Sequence, residues 1–221
     1  MALMEINYSI GEQSQYLLLF IISILSVWLI LIAYSLKMFG LPKTIRYFLP
    51  MMIVGLFIES GGVANGNYFY PGYLLYFNVI GGAVPLIIVV GWSSNLFLFL
   101  NMSACFIKKL YKKQTLLKFL SISLLASIFG ICFDLLQDPL AHHNRWWVWT
   151  GQSNSSFTYF NVPLWNFRGW FILIFIMALT TILIEVSGYS EKRKLVLSLT
   201  STAVVGGVVF AIRLVLNSIG F

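Results

Sequence analysis

The chain has 221 residues, of which 59% are hydrophobic and only 10% are charged, with 14 Lys and Arg against 7 Asp and Glu. A soluble domain usually carries about 25% charged residues, so this composition excludes an ordinary water-soluble enzyme, a disordered chain and a nucleic-acid binder. What remains is an all-α polytopic membrane protein, one membrane-embedded domain over residues 1–221, whose few charges can be placed one by one.

The elements follow in chain order. Nothing before the first apolar run resembles a cleaved signal peptide, because Glu5 and Glu12 stand where a positive region belongs. Tyr16 to Leu36 carries no charge and is long enough to span a hydrocarbon core of roughly 30 Å. Lys37, Lys43 and Arg46 follow, then a second apolar run over 47–62 with Glu59 near its far end. Asn65 to Gly72 is rich in turn formers. The pattern then predicts one long, tilted helix over 78–107, closed by Lys108, Lys109, Lys112 and Lys113. A fourth run over 116–136 finishes in Asp134, Asp138 and Pro139, with the proline placed just past the helix end. A Trp-rich polar connection carries His142 and His143 in an extended loop. The fifth run covers 163–184 and the sixth 195–219, separated by Lys192, Arg193 and Lys194. No internal repeat is evident.

This layout gives about six transmembrane helices. Three basic connections alternate with connections holding only Arg145 and Arg168. The positive-inside rule places the basic ones in the cytoplasm and both termini outside, in a multi-pass protein of the cell membrane. The net charge of +7 is then a cytoplasmic collar and not a polyanion site. Cys105 and Cys132 lie in apolar runs without metal or disulfide spacing.

The charges left over are informative, because an ionised group at the bilayer centre costs at least about 2.5–3.5 kcal/mol and is a functional candidate by default. Glu59, Asp134, Asp138 and Arg168 converge on the extracytoplasmic half. Glu185 and Arg213 read as interfacial or structural. Asp134 and Asp138 are one helical turn apart and share a face. Two carboxyls that close in a low dielectric do not both ionise easily, so one is expected to hold its proton, the state acid–base catalysis needs. The alternative is that they pair with Arg145 or Arg168 and brace the bundle. His142 and His143 raise a metal site, but adjacent residues of an extended loop point opposite ways, and no metal is expected. Trp146, Trp147 and Trp165 read as an interfacial belt. Trp149 and Trp170 could line a pocket whose aromatic faces favour a cation.

Three motifs resemble a family of integral membrane carotenoid-biosynthesis proteins, which includes carotenoid 1,2-hydratases of the CruF type and bisanhydrobacterioruberin hydratases. They are Glu59-Ser60-Gly61-Gly62 with Gly66-Asn67-Tyr68-Phe69-Tyr70; Gly82-Ala83-Val84-Pro85 with Trp92; and Asp134-Leu135-Leu136-Gln137-Asp138-Pro139 followed by Trp147, Trp149, Tyr159, Val162-Pro163, Asn166 and Gly169-Trp170. Asn161 stands where the family usually has glycine. The resemblance implies addition of water to the terminal trisubstituted double bond of an acyclic isoprenoid, without metal or redox cofactor. It makes Asp134 or Asp138 the acid and the other its partner. Glu59 or Asn166 would position water, with Tyr68, Tyr70, Trp92, Trp149, Tyr159, Arg168 and Trp170 around the substrate. The implied partners are a hydrophobic carotenoid or related isoprenoid and the lipid bilayer. The competing readings are a small lipid transporter using the acids as a proton relay and a Mg²⁺-dependent prenyl-transfer enzyme. The latter should lose activity on chelation, whereas acid-catalysed hydration should not.

Overall fold

The computed structural model describes residues 10–110, 113–150 and 158–218. Glu5 and Lys112, used above to place charges, lie outside the described residues. Six helices dominate: α1 (Ile10–Phe39), α2 (Leu41–Ala64), α3 (Leu86–Lys108), α4 (Leu116–His143), α5 (Leu164–Val186) and α6 (Glu191–Ser218). Five of them, α1 to α5, are long and apolar enough to cross a membrane, so this is a multi-pass membrane bundle. α1 packs on α3 and α2 and leaves most of its surface to lipid, with Leu19, Leu29 and Ile30 exposed. α2 to α5 pack in sequence, and α6 closes the bundle against α2 and α5.

The connections at one end are short. Gly40 alone separates α1 from α2, and the Ser35 and Thr44 hydroxyls hydrogen-bond across that corner at 2.9 Å. At the same end the Arg46 guanidinium is buried. Its Nε and Nη2 donate to the two oxygens of Glu185 at 2.6 and 3.1 Å, and its Nη1 donates to Glu191 at 2.7 Å. Arg46 is therefore not the free collar charge that the sequence suggests. It ties α2 to the end of α5 and the start of α6, because a buried guanidinium persists only when paired.

The opposite end is built from three two-stranded ribbons: β1 (Tyr68–Phe69) with β4 (Val148–Trp149), β2 (Tyr76–Val79) with β3 (Gly82–Pro85), and β5 (Thr158–Tyr159) with β6 (Val162–Pro163). Here the sequence reading needs four corrections. Residues 76–85 are a hairpin, not the start of a long helix. Ile80 and Gly81 both take positive φ to turn it, and α3, at about 35 Å, spans without them. α4 runs through Pro139 to His143, so Asp134 and Asp138 sit inside a helix and both histidines occupy its last turn. The proline is accommodated because it removes one rung of the helix ladder, a loss that surrounding structure offsets in membrane helices.

The fourth correction is an internal repeat. Val84-Pro85-Leu86, with Gly91-Trp92, recurs as Val162-Pro163-Leu164, with Gly169-Trp170. In each copy a hairpin ends on the proline, which then caps the next helix in nearly the same conformation (φ −64°, ψ 138° and φ −63°, ψ 136°). The helices before the hairpins end alike too. Asn65 and Asn144 cap α2 and α4 with φ −80° and −83°, and Gly66 and Arg145 follow with φ 68° and 57°. The segment α2-β1-β2-β3-α3 is thus repeated as α4-β4-β5-β6-α5. β1 and β4 pair antiparallel where the copies meet.

Candidate active site

The repeat places one acid in each copy near the same helix end, Glu59 in α2 and Asp138 in α4. Both line one cavity of about 50 Å³, together with Tyr68, Tyr70, Trp92, Trp147, Trp149, Asn166 and Trp170. That space holds a few water molecules or a branched carbon terminus, not a long ligand. Asn95 and Gln137 supply further polar lining, and Phe20 and Ile24 of α1 form one wall.

Glu59 is held by donors alone. The Trp92 indole N–H donates to Oε1 at 2.7 Å, the Tyr68 hydroxyl donates to Oε2 at 2.7 Å, and the Tyr70 hydroxyl donates to the same oxygen. Gly62 of the Glu59-Ser60-Gly61-Gly62 motif serves this contact: a Cβ there would lie 2.1 Å from the Tyr68 hydroxyl oxygen. Ser60 Oγ donates to the carbonyls of Val79 and Gly82, which pins the β2–β3 hairpin onto α2. Gly82 is required there, since a Cβ would meet the Ser60 carbonyl oxygen at 2.0 Å. Burial, the nearby Glu59 charge and Tyr68 push the Tyr70 hydroxyl well above the usual tyrosine range, and burial does the same to Tyr73.

The aspartates are arranged differently. Asp134 is fully buried behind the cavity and Asp138 faces it. One amide bridges them, since Asn166 Nδ2 donates to Asp134 Oδ2 at 2.9 Å and to Asp138 Oδ2 at 2.6 Å, and the two carboxyls also hydrogen-bond each other directly. The Trp147 indole also reaches Asp138. Asp134 Oδ1 is buried with no hydrogen-bond partner among the described residues. Among those residues no lysine or arginine comes within ion-pairing range of Glu59, Asp134 or Asp138. The bracing pairs with Arg145 or Arg168 are therefore not formed. Nor, among the described residues, does any group of three or more His, Cys, Asp or Glu have the placement to hold a metal ion.

The aromatic walls are continuous. Trp92 and Trp170, the matching tryptophans of the two copies, stack with centroids 4.2 Å apart, and Tyr68 meets Trp149 edge-on at 4.8 Å. Trp147, read from sequence as part of an interfacial belt, is a wall residue. Two other expectations fall outside the cavity. Tyr159 lies on the exposed β5 ribbon, edge-on to Phe160 and Phe167. Arg168 sits on α5 one residue past Phe167, half-buried and not in the lining. His142 accepts a hydrogen bond at Nδ1 from the Trp149 backbone N–H at 3.2 Å, so it shapes the ribbon.

Residues 15–220 match the family of carotenoid biosynthesis proteins. The chain belongs to that family. The match takes in all of α2 to α5 and both copies of the repeat, so the acid cavity is built wholly from family sequence, and a role in carotenoid biosynthesis follows. No curated protein and no solved structure matches the chain. Asn95, Gln137 and Phe20 were missed from the sequence because a lone amide or phenylalanine inside an apolar run carries no local signal. Ile88, also not anticipated, did carry one in the repeat: it occupies the place of Asn166, and both line the cavity.

Proposed function

We propose that this protein is a metal-independent hydratase, a hydro-lyase that adds water to the terminal C=C of an acyclic carotenoid or related isoprenoid. The observation that carries the reading is the pairing of unlike acid environments across one aromatic cavity. Asp134 and Asp138 share one amide and no cation, an arrangement suited to one proton held between them. Glu59 faces three donors, an arrangement suited to a carboxylate.

Asp138 gives its proton to the less substituted alkene carbon, leaving a tertiary cation beside the faces of Trp92, Trp149 and Trp170. The Glu59 carboxylate lowers the energy of that cation and orients a water whose oxygen bonds to it. The proton released from the water returns to the aspartate pair, so the product is a tertiary alcohol and the enzyme is restored. Asn166 holds the pair in register and Asp134 shares its proton. The cavity faces the extracytoplasmic side.

Expression in a lycopene-producing host, with pigments analysed by mass spectrometry, tests this. The expected product has gained one water, and Asp138→Asn and Asp134→Asn each abolish it while the protein stays monodisperse. An unchanged pigment with confirmed membrane expression, or activity in both variants, refutes it. Sidedness is read separately in a variant lacking Cys105 and Cys132. A new cysteine at Leu74 is expected to label from outside, and one at Lys109 is not.

A further inference from the structure

A second cavity, of about 730 Å³, opens on the outer flank of the same end, between α1 and the segment that leads into α3. Its volume is that of a typical small-molecule site, and its lining is apolar except for Asn144, Arg145 and the Tyr73 hydroxyl. The floor is buried Tyr73, Pro85 and Ile87, while Leu18, Leu74 and Leu75 form an exposed lip. Tyr73 places a buried hydroxyl there with no hydrogen-bond partner among the described residues.

One layer of side chains divides this groove from the acid cavity. On α1, Leu17, Ile21 and Leu25 face the groove while Phe20 and Ile24 face the cavity. On α3 the neighbours Ile87 and Ile88 divide in the same way, and in the intervening loop Tyr73 and Tyr70 meet edge-on with centroids 6.0 Å apart. Phe20 is the partition, stacked on Trp146 at 4.3 Å.

The acid cavity is too small for more than a reacting terminus, so a long apolar substrate must keep its remaining length elsewhere. The groove is the adjoining space of matching polarity. We infer that the groove between α1 and the β2–β3 hairpin binds the polyene body of the substrate, with the terminal group passing Phe20 to reach Asp138. This rests on the isoprenoid-hydration reading above and extends it to where the rest of the molecule lies.

The test uses the full-length protein in detergent with lycopene as the probe, reading both retained pigment by visible absorption and conversion by mass spectrometry. Leu18→Trp and Leu75→Trp fill the lip at exposed positions that folding tolerates. Leu29→Trp, on the lipid-facing part of α1 away from the groove, is the control. Each lip variant is expected to lower retained lycopene about ten-fold, equivalent to roughly 1.4 kcal/mol, with the control unchanged. Retention by wild type that is lost in the lip variants, without conversion, supports the groove and refutes hydration. Conversion that is undiminished in both lip variants supports hydration and overturns the groove. Phospholipid that co-purifies, resists lycopene and is lost from the lip variants also overturns it.

Discussion

The amide of Asn166 carries more than its own weight, and its removal has a calculable effect. Asn166→Leu keeps the volume but deletes both hydrogen bonds to the aspartates. With one proton on the pair, one bond is to a charged carboxylate, worth about 1.5–3 kcal/mol, and one to a neutral acid, worth about 0.5–1.5 kcal/mol. The expected loss of stability is therefore about 2–4.5 kcal/mol. Asp134, fully buried and with Oδ1 already unpartnered, then keeps only its contact with Asp138. Its desolvation is left largely uncompensated, a cost of about 1–3 kcal/mol. Adding Asp134→Leu to Asn166→Leu removes that orphan, so the double variant is expected to be more stable than Asn166→Leu by about 1–3 kcal/mol. Equilibrium unfolding in mixed detergent–SDS micelles measures all three. If the double variant is less stable than Asn166→Leu, or the two effects simply add, the shared-amide account is wrong.

Other outcomes follow from the same geometry. Gly82→Ala drives a methyl group into the Ser60 carbonyl, and is expected to detach the hairpin from α2 and abolish turnover, read by pigment analysis. Arg46→Ala leaves Glu185 without its buried partner and should cost about 3–5 kcal/mol. Glu191→Ala, at a position 61% exposed, should cost far less, because solvent screens that pair; both are read by the same unfolding assay. Tyr70 and Tyr73 are held neutral well above the ordinary range. Their contribution to stability is full below about pH 10, the unfolded value, and falls as the pH rises beyond it. Ultraviolet titration of the folded protein at pH 10 should therefore show the tyrosinate of neither, and unfolding should release both.

The hydrophobic runs were legible because a membrane helix needs continuous apolar length, and α1, α2, α4 and α5 lie where those runs predict. The failures share one cause. Apolar length does not distinguish a helix from the Tyr76–Pro85 hairpin, whose positive-φ turn at Ile80-Gly81 has only one glycine to mark it. Pro139 reads locally as a helix end, yet α4 continues because tertiary packing outweighs one missing rung. The resemblance that leads one to expect glycine at position 161 gains a physical reason only in three dimensions: Asn161 has φ 66° in the β5–β6 turn, a conformation that asparagine tolerates. Glu59, Asp134 and Asp138 were legible as costly charges. That Asn166 joins two of them, while Tyr68, Tyr70 and Trp92 enclose the third, depends on contacts between elements far apart in sequence.

The buried Arg46 also has a history in time. Synthesis runs from the N-terminus, so Arg46 emerges long before Glu185 and Glu191 exist. While loop charges are setting the orientation of the first helices, it is an uncompensated cation, and the positive-inside rule predicts that it acts as a topogenic signal. Only when α5 and α6 arrive does it become the enclosed half of an ion pair. On that expectation one residue first directs insertion and then locks the finished bundle, so variants at Arg46 should be assayed separately for membrane orientation and for stability.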